Sequence, residues 1–327
     1  MGKYNNLFRN IIAPPKRITF LVTNKCNIEC DFCCFACNPR NNSFINVDDV
    51  KYFIRKAMTE FNIKYVVFSG GEPFLHNRIH ELISYATKNG LGTRIVSNGF
   101  WGAAINLEDV VSTLKSSGLT ELNISAGYFH QKYIPFDTSI KAALYASERG
   151  IRTLITLENK KNQPVKLKDY IIELKKIGKK YNKDYKELIL TNTLAIPNNK
   201  YNEAYNSEFV QEMTLCDDLF QGLTVNFDGS LKVCCGIKNQ VNNIWKTKSR
   251  SMKQFYKRIT SEHLLQSIYS FGPKITLKKL IKGFFPFNHP CEFCEQIMKN
   301  ISKFELIEKF SEKDFVDILR IAKEIHH

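Results

Sequence analysis

Ten cysteines stand in three groups along the 327 residues: Cys26, Cys30, Cys33, Cys34 and Cys37; then Cys216, Cys234 and Cys235; then Cys291 and Cys294. Thiols clustered in this way, in a chain without a secretory signal, point to ligation of a metal or cofactor rather than to disulfides. Thiolates suit zinc, copper(I) or iron–sulfur clusters, and spacing separates these. A zinc tetrahedron commonly pairs its ligands as Cys-x2-Cys twice over, whereas the first group reads Cys26-x3-Cys30-x2-Cys33. Three thiolates on one short loop can hold three irons of a [4Fe–4S] cube. An electron carrier closes its cube with a fourth cysteine, so a loop offering three leaves one iron open to a substrate or cofactor. Cys34 adjoins Cys33 and is expected to point elsewhere, so Cys34 and Cys37 are read as structural or secondary.

The elements that must position this loop follow from hydrophobic periodicity. A strand-like run, Arg17–Thr23, leads into the cysteines. Tyr65–Phe68 leads into Ser69-Gly70-Gly71-Glu72-Pro73, and Arg94–Val96 into Ser97-Asn98-Gly99. Further strands are expected over Leu119–Ser125, Arg152–Leu157 and Glu187–Thr191. Helical spacing predicts helices over Val47–Phe61 (with Asn46 as cap), Asn77–Lys88 (stopped by Asn89-Gly90), Leu107–Ser116, Thr138–Glu148 and Leu167–Lys179. Six alternating βα units give an α/β fold, a partial (β/α)6 TIM-type barrel over residues 1–200. In such barrels chemistry gathers at the C-terminal strand ends, where all three motifs lie.

The Cys26-x3-Cys30-x2-Cys33 loop, Gly70-Gly71-Glu72-Pro73 and Ser97-Asn98-Gly99, in this order and at strand ends, resemble the radical S-adenosylmethionine (SAM) superfamily. The resemblance implies that Cys26, Cys30 and Cys33 hold a [4Fe–4S] cluster whose open iron chelates SAM through its amino and carboxylate groups. It places Gly70, Gly71, Glu72 and Pro73 at the amino group, Ser97 and Asn98 near the ribose or carboxylate, and Ser125 with them at the fourth strand's end.

The last third, residues 201–327, departs from the βα pattern and is expected to form a small cysteine-rich domain of a hairpin and helices. Gly222 to Cys235 reads as a hairpin turning at Asp228-Gly229. With Cys216 before it and Cys291-x2-Cys294 after, it resembles the shortened SPASM/twitch-like extensions of peptide-modifying radical SAM enzymes. Five cysteines are present where an auxiliary [4Fe–4S] cluster needs four ligands. Neighbours on a strand face opposite ways, so Cys234 and Cys235 do not easily serve one cluster. Cys216, Cys234, Cys291 and Cys294 are assigned to it and Cys235 is left spare. The plainer alternatives are zinc at those four cysteines, and Cys235 as a small buried hydrophobe.

Several strings, Cys33-Cys34-Phe35-Ala36-Cys37-Asn38-Pro39 and Ser97-Asn98-Gly99-Phe100-Trp101-Gly102 among them, resemble the epipeptide-type radical SAM peptide epimerases. That resemblance implies conversion of L- to D-residues in a ribosomally made precursor peptide, fed by an external electron donor of the flavodoxin or ferredoxin type. A 5′-deoxyadenosyl radical takes a Cα hydrogen, and a thiol across the substrate returns one; the resemblance gives that role to Cys235. Two features depart from the family pattern. Ser125-Ala126-Gly127-Tyr128-Phe129-His130 keeps His130 but lacks the expected acid. Asp217 and Asp218 adjoin Cys216, but their distance to Asp228-Gly229 differs by about two residues, and no role is carried over to them. The alternatives are radical crosslinking of a peptide through a thioether or carbon–carbon bond, and a zinc-containing peptide- or nucleic-acid-binding protein.

Composition bounds the rest. Apolar residues make up 43 % and aromatics 12 %, enough for an ordinary core. No apolar run reaches the roughly 18 residues of a membrane span, and the expected location is cytoplasmic. Forty-seven basic against 32 acidic residues give +15, and Lys238–Lys282 holds eleven Lys/Arg and one acid, Glu262. No nucleic-acid-binding motif accompanies this charge. Met1–Lys16 is too short for a leader-peptide domain, so peptide capture is expected at a sheet edge or on the basic C-terminal face with Lys278, Lys279 and Lys282.

Overall fold

Runs of Val, Ile, Leu and Phe that are buried on both faces form parallel strands covered by helices. In the computed structural model, which describes residues 8, 10–31, 33–159, 167–194, 216, 219–234, 246–247, 251–280, 290–299 and 311–326, six such strands pair in chain order. They are β1 (Arg17–Thr23), β2 (Tyr65–Gly70), β3 (Gly92–Ser97), β4 (Glu121–Ser125), β5 (Arg152–Asn159) and β6 (Ile189–Leu194), all parallel. Helices α1 (Val47–Phe61), α2 (Ile79–Lys88), α3 (Leu107–Ser116), α4 (Phe136–Glu148) and α5 (Leu167–Tyr181) return the chain between them. This is the α/β partial barrel expected from the alternation.

Register decides what each face of the sheet carries. Ile18, Phe20 and Val22 of β1 join the core under the helices, with Val66 and Phe68 beside them on β2. The opposite face is more polar. Thr156 Oγ1 donates to Asn123 Oδ1 at 2.7 Å and lies 3.2 Å from Thr191 Oγ1. Below them, in one register line, Arg94 and Arg152 both pair with the buried carboxylate of Glu121. The interior thus offers hydrogen-bonding groups toward the C-terminal strand ends and ion pairs at the other end.

The sheet does not stop at β1. Strand β7 (Gly222–Val225) runs parallel to β1 on its free side, and β8 (Leu231–Lys232) and β9 (Lys246–Thr247) add antiparallel. Gly229, at φ 73°, makes the expected turn, closed by its N–H to the Asn226 carbonyl. Helices α6 (Met252–Ile259), α7 (His263–Leu280), α8 (Pro290–Lys299) and α9 (Glu312–His326) complete the described chain. A kink at Gly272-Pro273 interrupts α7, as a proline without an N–H dictates. Phe8 packs edge-on to Phe220 and Tyr269 and is fully buried there. Among the described residues no helix is long and apolar enough to cross a membrane.

Differences from expectation lie at element ends. Helix α2 begins at Ile79 rather than Asn77, because the His76 ring accepts the Arg78 N–H and holds that residue in a turn. Helix α4 begins two residues early, at Phe136, where the Pro135 carbonyl accepts from Thr138 and Ser139. Leu119 closes α3 by donating to the Leu114 carbonyl, so β4 starts at Glu121. The Tyr185–Leu188 turn delays β6 to Ile189. The second hairpin strand ends at Lys232, so regular alternation does not extend to Cys234.

Asn46 caps α1 by accepting the Asp48 N–H at 2.8 Å, just where the cysteine loop re-enters regular structure. Asn46→Ala is expected to lower stability by about 1 kcal/mol, measured as a reduced urea midpoint with an unchanged m-value.

Candidate active site

The cysteine loop leaves β1 and is seated by the end of β2. Gly71 N–H donates to the Thr23 carbonyl at 2.7 Å and Glu72 N–H to the Lys25 carbonyl at 2.9 Å. A methyl group on Gly71 would overlap the Lys25 carbonyl, and one on Gly70, at φ 121°, would crowd that of Thr23. The two glycines therefore let one strand end lie directly on the loop of another. Pro73 opens a short 3-10 turn with Glu72 as its cap. The Gly71 and Glu72 amides are thus both spent on the cysteine loop.

Glu72 is wholly buried and ties the second strand end to the third. Its carboxylate accepts from Ser97 Oγ at 2.9 Å, Asn98 N at 2.9 Å and Phe74 N at 3.1 Å. Burial outweighs these bonds and pushes its carboxyl up to about 7. The Ser97 hydroxyl also accepts from Gly99 N and Trp101 Nε1. Ser97 thus holds the motif together with its whole hydrogen-bonding capacity. Asn98 Nδ2 donates to Asn27 Oδ1 at 2.8 Å and approaches Cys26 Sγ at 3.8 Å.

Cys26, Cys30 and Cys37 are buried in one small cluster with Ile28 and Ile134, and Cys33 packs against it. Burial first, then Glu72, pushes the Cys26 thiol up to about 12, and burial likewise raises Cys30. The Cys33 thiol is held below its ordinary value by the Cys37 thiol and by the Cys37 amide, which donates to its sulfur at 3.4 Å. Cys37 is raised in turn, and is part of this group rather than remote from it.

A second clamp reaches the loop from the fourth and fifth strands. Ser125 ends β4 in register with Thr156. Beyond it Glu158 of β5, 2 % exposed, accepts Gly127 N at 3.0 Å, Phe129 N at 3.0 Å, His130 N at 3.2 Å and His130 Nδ1 at 2.7 Å. A side chain at Gly127 would collide with this carboxylate. The 125–130 segment, which carries no acid of its own, is thus folded around one from the neighbouring strand. The turn so formed grips the cysteine loop: Tyr133 Oη donates to the Glu29 carbonyl at 2.6 Å and Lys132 pairs with Asp31 at 2.5 Å. Glu158 was missed in the sequence, although an acid at the top of an apolar strand is the signal that marks it.

In the C-terminal part, burial pushes the Cys291 and Cys294 thiols well above their usual value, and the charges of Cys216 and Cys234 add to this for both. Cys34 acts on Cys291 in the same sense. The four cysteines expected together are within electrostatic reach of one another, and Cys34 is within reach of Cys291. Cys235 lies outside the described residues, as do Asp217, Asp218 and Lys282. Of the basic face, Lys279 is paired with Asp314.

No disulfide forms among the described residues, and no three His, Cys, Asp or Glu side chains among them converge closely enough to share one metal ion. Thiols on separate irons of a cube stand further apart than ligands of a single ion. Buried thiols that resist ionisation in the bare chain gain most from a cation. The Cys26, Cys30 and Cys33 set, with hydrogen-bond donors on two of its sulfurs, fits such a group.

Residues 20–159 match the model of the Radical SAM superfamily. YydG of Bacillus subtilis, a protein named for peptide biosynthesis, is 29 % identical over 140 residues, covering 41 % of this chain and 42 % of YydG. A Methanocaldococcus jannaschii protein named as a GTP 3′,8-cyclase is 33 % identical over 104 residues, 32 % of this chain and 34 % of its own. The matches span well under half the length of these relatives. Among solved structures, Streptococcus suis SuiB bound to precursor peptide SuiA aligns with TM-score 0.56 and 18 % identity, over 89 % of this chain and 78 % of SuiB. Native anSMEcpe with AdoMet and the Cp18Cys peptide aligns with TM-score 0.57 and 14 % identity, over 95 % and 100 %. At these identities the likeness is one of fold.

Two outcomes follow from the buried carboxylates. A carboxyl raised on folding contributes stability that is complete below about 4.5 and lost as pH rises through about 7. The metal-free chain is therefore expected to lose up to about 3 kcal/mol between pH 5 and 7.5 through Glu72, and urea unfolding of Glu72→Gln should show that slope abolished. Glu158→Gln puts an NH2 among amide donors; it should cost about 1–3 kcal/mol and speed hydrogen exchange at Gly127, Phe129 and His130.

Proposed function

We propose, on the premise of the radical SAM domain formed by residues 20–159, that the chain modifies a ribosomally made peptide by hydrogen-atom abstraction. The observation that carries this is the seating of the Cys26–Cys33 loop on Gly71 and Glu72, which brings three cysteines beside acceptor-rich strand ends. SAM bound at a [4Fe–4S] cluster supplies a 5′-deoxyadenosyl radical. In this reading Cys26, Cys30 and Cys33 hold that cluster, and Gly70 and Gly71 offer carbonyl oxygens to the ammonium of SAM. Glu72, Ser97 and Pro73 keep those carbonyls in place. Asn98 faces the cysteine loop, and Ser125 stands at the neighbouring strand end. Cys216, Cys234, Cys291 and Cys294 hold the auxiliary cluster, and an external electron donor of the flavodoxin or ferredoxin type supplies the reducing electron.

The peptide substrate is supported by the fold shared with SuiB and anSMEcpe, both solved with peptides bound. Two fates of the peptide radical remain to be separated by experiment. Crosslinking asks for radical generation, peptide positioning and an oxidising auxiliary centre, the last assigned in this reading to Cys216, Cys234, Cys291 and Cys294, and the peptides bound to SuiB and anSMEcpe support a peptide-modifying reaction of this kind. Epimerisation asks in addition for a hydrogen donor across the peptide, a role assigned to Cys235. The protein's share in either is to orient the peptide and exclude water, since the cofactor performs the difficult step.

Anaerobic reconstitution is expected to load about eight irons and eight sulfides per chain, four for each cube; zinc in their place would end this reading. Turnover of a candidate precursor peptide in deuterated water then separates the fates by mass spectrometry. A loss of two hydrogens indicates crosslinking. One deuterium at Cα with no other change, abolished in Cys235→Ala, indicates epimerisation.

A further inference from the structure

The two ends of the Asn98 carboxamide do different work. Its Oδ1 accepts the Phe100 N–H at 3.1 Å and closes the turn after β3. Its Nδ2 donates to Asn27 Oδ1 at 2.8 Å and stands 3.8 Å from Cys26 Sγ, inside hydrogen-bonding range for sulfur. The residue is buried, and its backbone is fixed at both sides: Asn98 N–H donates to Glu72, and the Asn98 carbonyl accepts from Ser139 Oγ at 3.0 Å. The amide group therefore has little freedom to turn elsewhere. Family resemblance places this asparagine at the ribose or carboxylate of SAM, but here its donor is directed at the cysteine loop.

We infer that Asn98 is a positioning residue for Cys26, aiming an N–H···S hydrogen bond at the sulfur that would ligate the first cluster. This rests on the proposed cluster at Cys26, Cys30 and Cys33. An N–H directed at a ligating sulfur withdraws electron density and favours the reduced state, so it raises the cluster's reduction potential. The Cys37 amide does the same for Cys33 at 3.4 Å, but from the backbone, beyond the reach of ordinary substitution. Asn98 is the side-chain handle on the effect.

Asn98→Ser and Asn98→Asp both keep an oxygen for the Phe100 N–H and remove the amide N–H that reaches Cys26, which the shorter serine hydroxyl does not replace; only the second adds charge. The full chain is reconstituted anaerobically, and iron, sulfide and an EPR-monitored redox titration are recorded for the signal that changes when SAM is added. Both variants are expected to retain iron and to titrate at a more negative midpoint than the parent. Iron lost from a variant that still unfolds cooperatively also supports the inference, because Cys26 then fails to present its sulfur. A parental midpoint in Asn98→Ser with full iron overturns it, even if Asn98→Asp shifts, since charge alone would then be acting. If Cys26→Ala/Cys30→Ala/Cys33→Ala loses no iron, the cluster reading itself falls, a result distinct from an unshifted Asn98→Ser.

Discussion

The contact between Gly71 and the Lys25 carbonyl is the constraint on which the site depends. Two chain segments approach there to a separation that admits no side chain, and the amides of Gly71 and Glu72 satisfy the carbonyls of Thr23 and Lys25. A loop carrying five cysteines within twelve residues forms only a small apolar cluster of its own. Its shape is borrowed from the strand end beneath it.

From that contact a chain of buried hydrogen bonds spreads along the C-terminal ends of the strands. Glu72 gathers Ser97 and Asn98 of the third strand's exit, Ser97 holds Trp101, and Asn98 returns to the cysteine loop through Asn27. On the far side Glu158 shapes the turn that presses Tyr133 and Lys132 onto the same loop. Both carboxylates are closed off from water and bonded by several donors at once, the condition under which buried polar networks rigidify a site. The loop is therefore held from two directions, each by a single acid.

Most of the fold was legible because barrel strands and amphipathic helices carry their periodicity in plain view. Val50, Phe53, Ile54 and Ala57 of α1 fall on one face in the sequence and are buried in the structure. The three motifs were legible because glycines and cysteines at strand ends serve few structural purposes. What escaped was contact between residues distant in the chain. Glu158, which shapes the turn after Ser125, stands 33 positions beyond that serine on β5, and only the pairing of β4 with β5 brings it there. The partners of the Ser97 hydroxyl, Glu72, Gly99 and Trp101, are likewise assembled only by the folded strand ends. Cys37, read as structural or secondary, has a structural part that only the fold displays: its amide bonds to Cys33, because a tight turn brings residue 37 back over residue 33.

Strand β7 lies beside β1 in the same ladder, matched from Arg17↔Gly222 to Phe20↔Val225. One strand leads to the first cysteine loop and the other to the hairpin ahead of Cys234. The spacing between the roots of the two thiol groups is thereby set by backbone pairing, a few ångströms per strand, rather than by a tether. Prising those roots apart would mean unzipping adjacent strands of a buried sheet. Under the proposed function, substrates of different bulk would then be accommodated by the turns above it, and an electron passing between the groups would cross a gap whose base keeps a constant width.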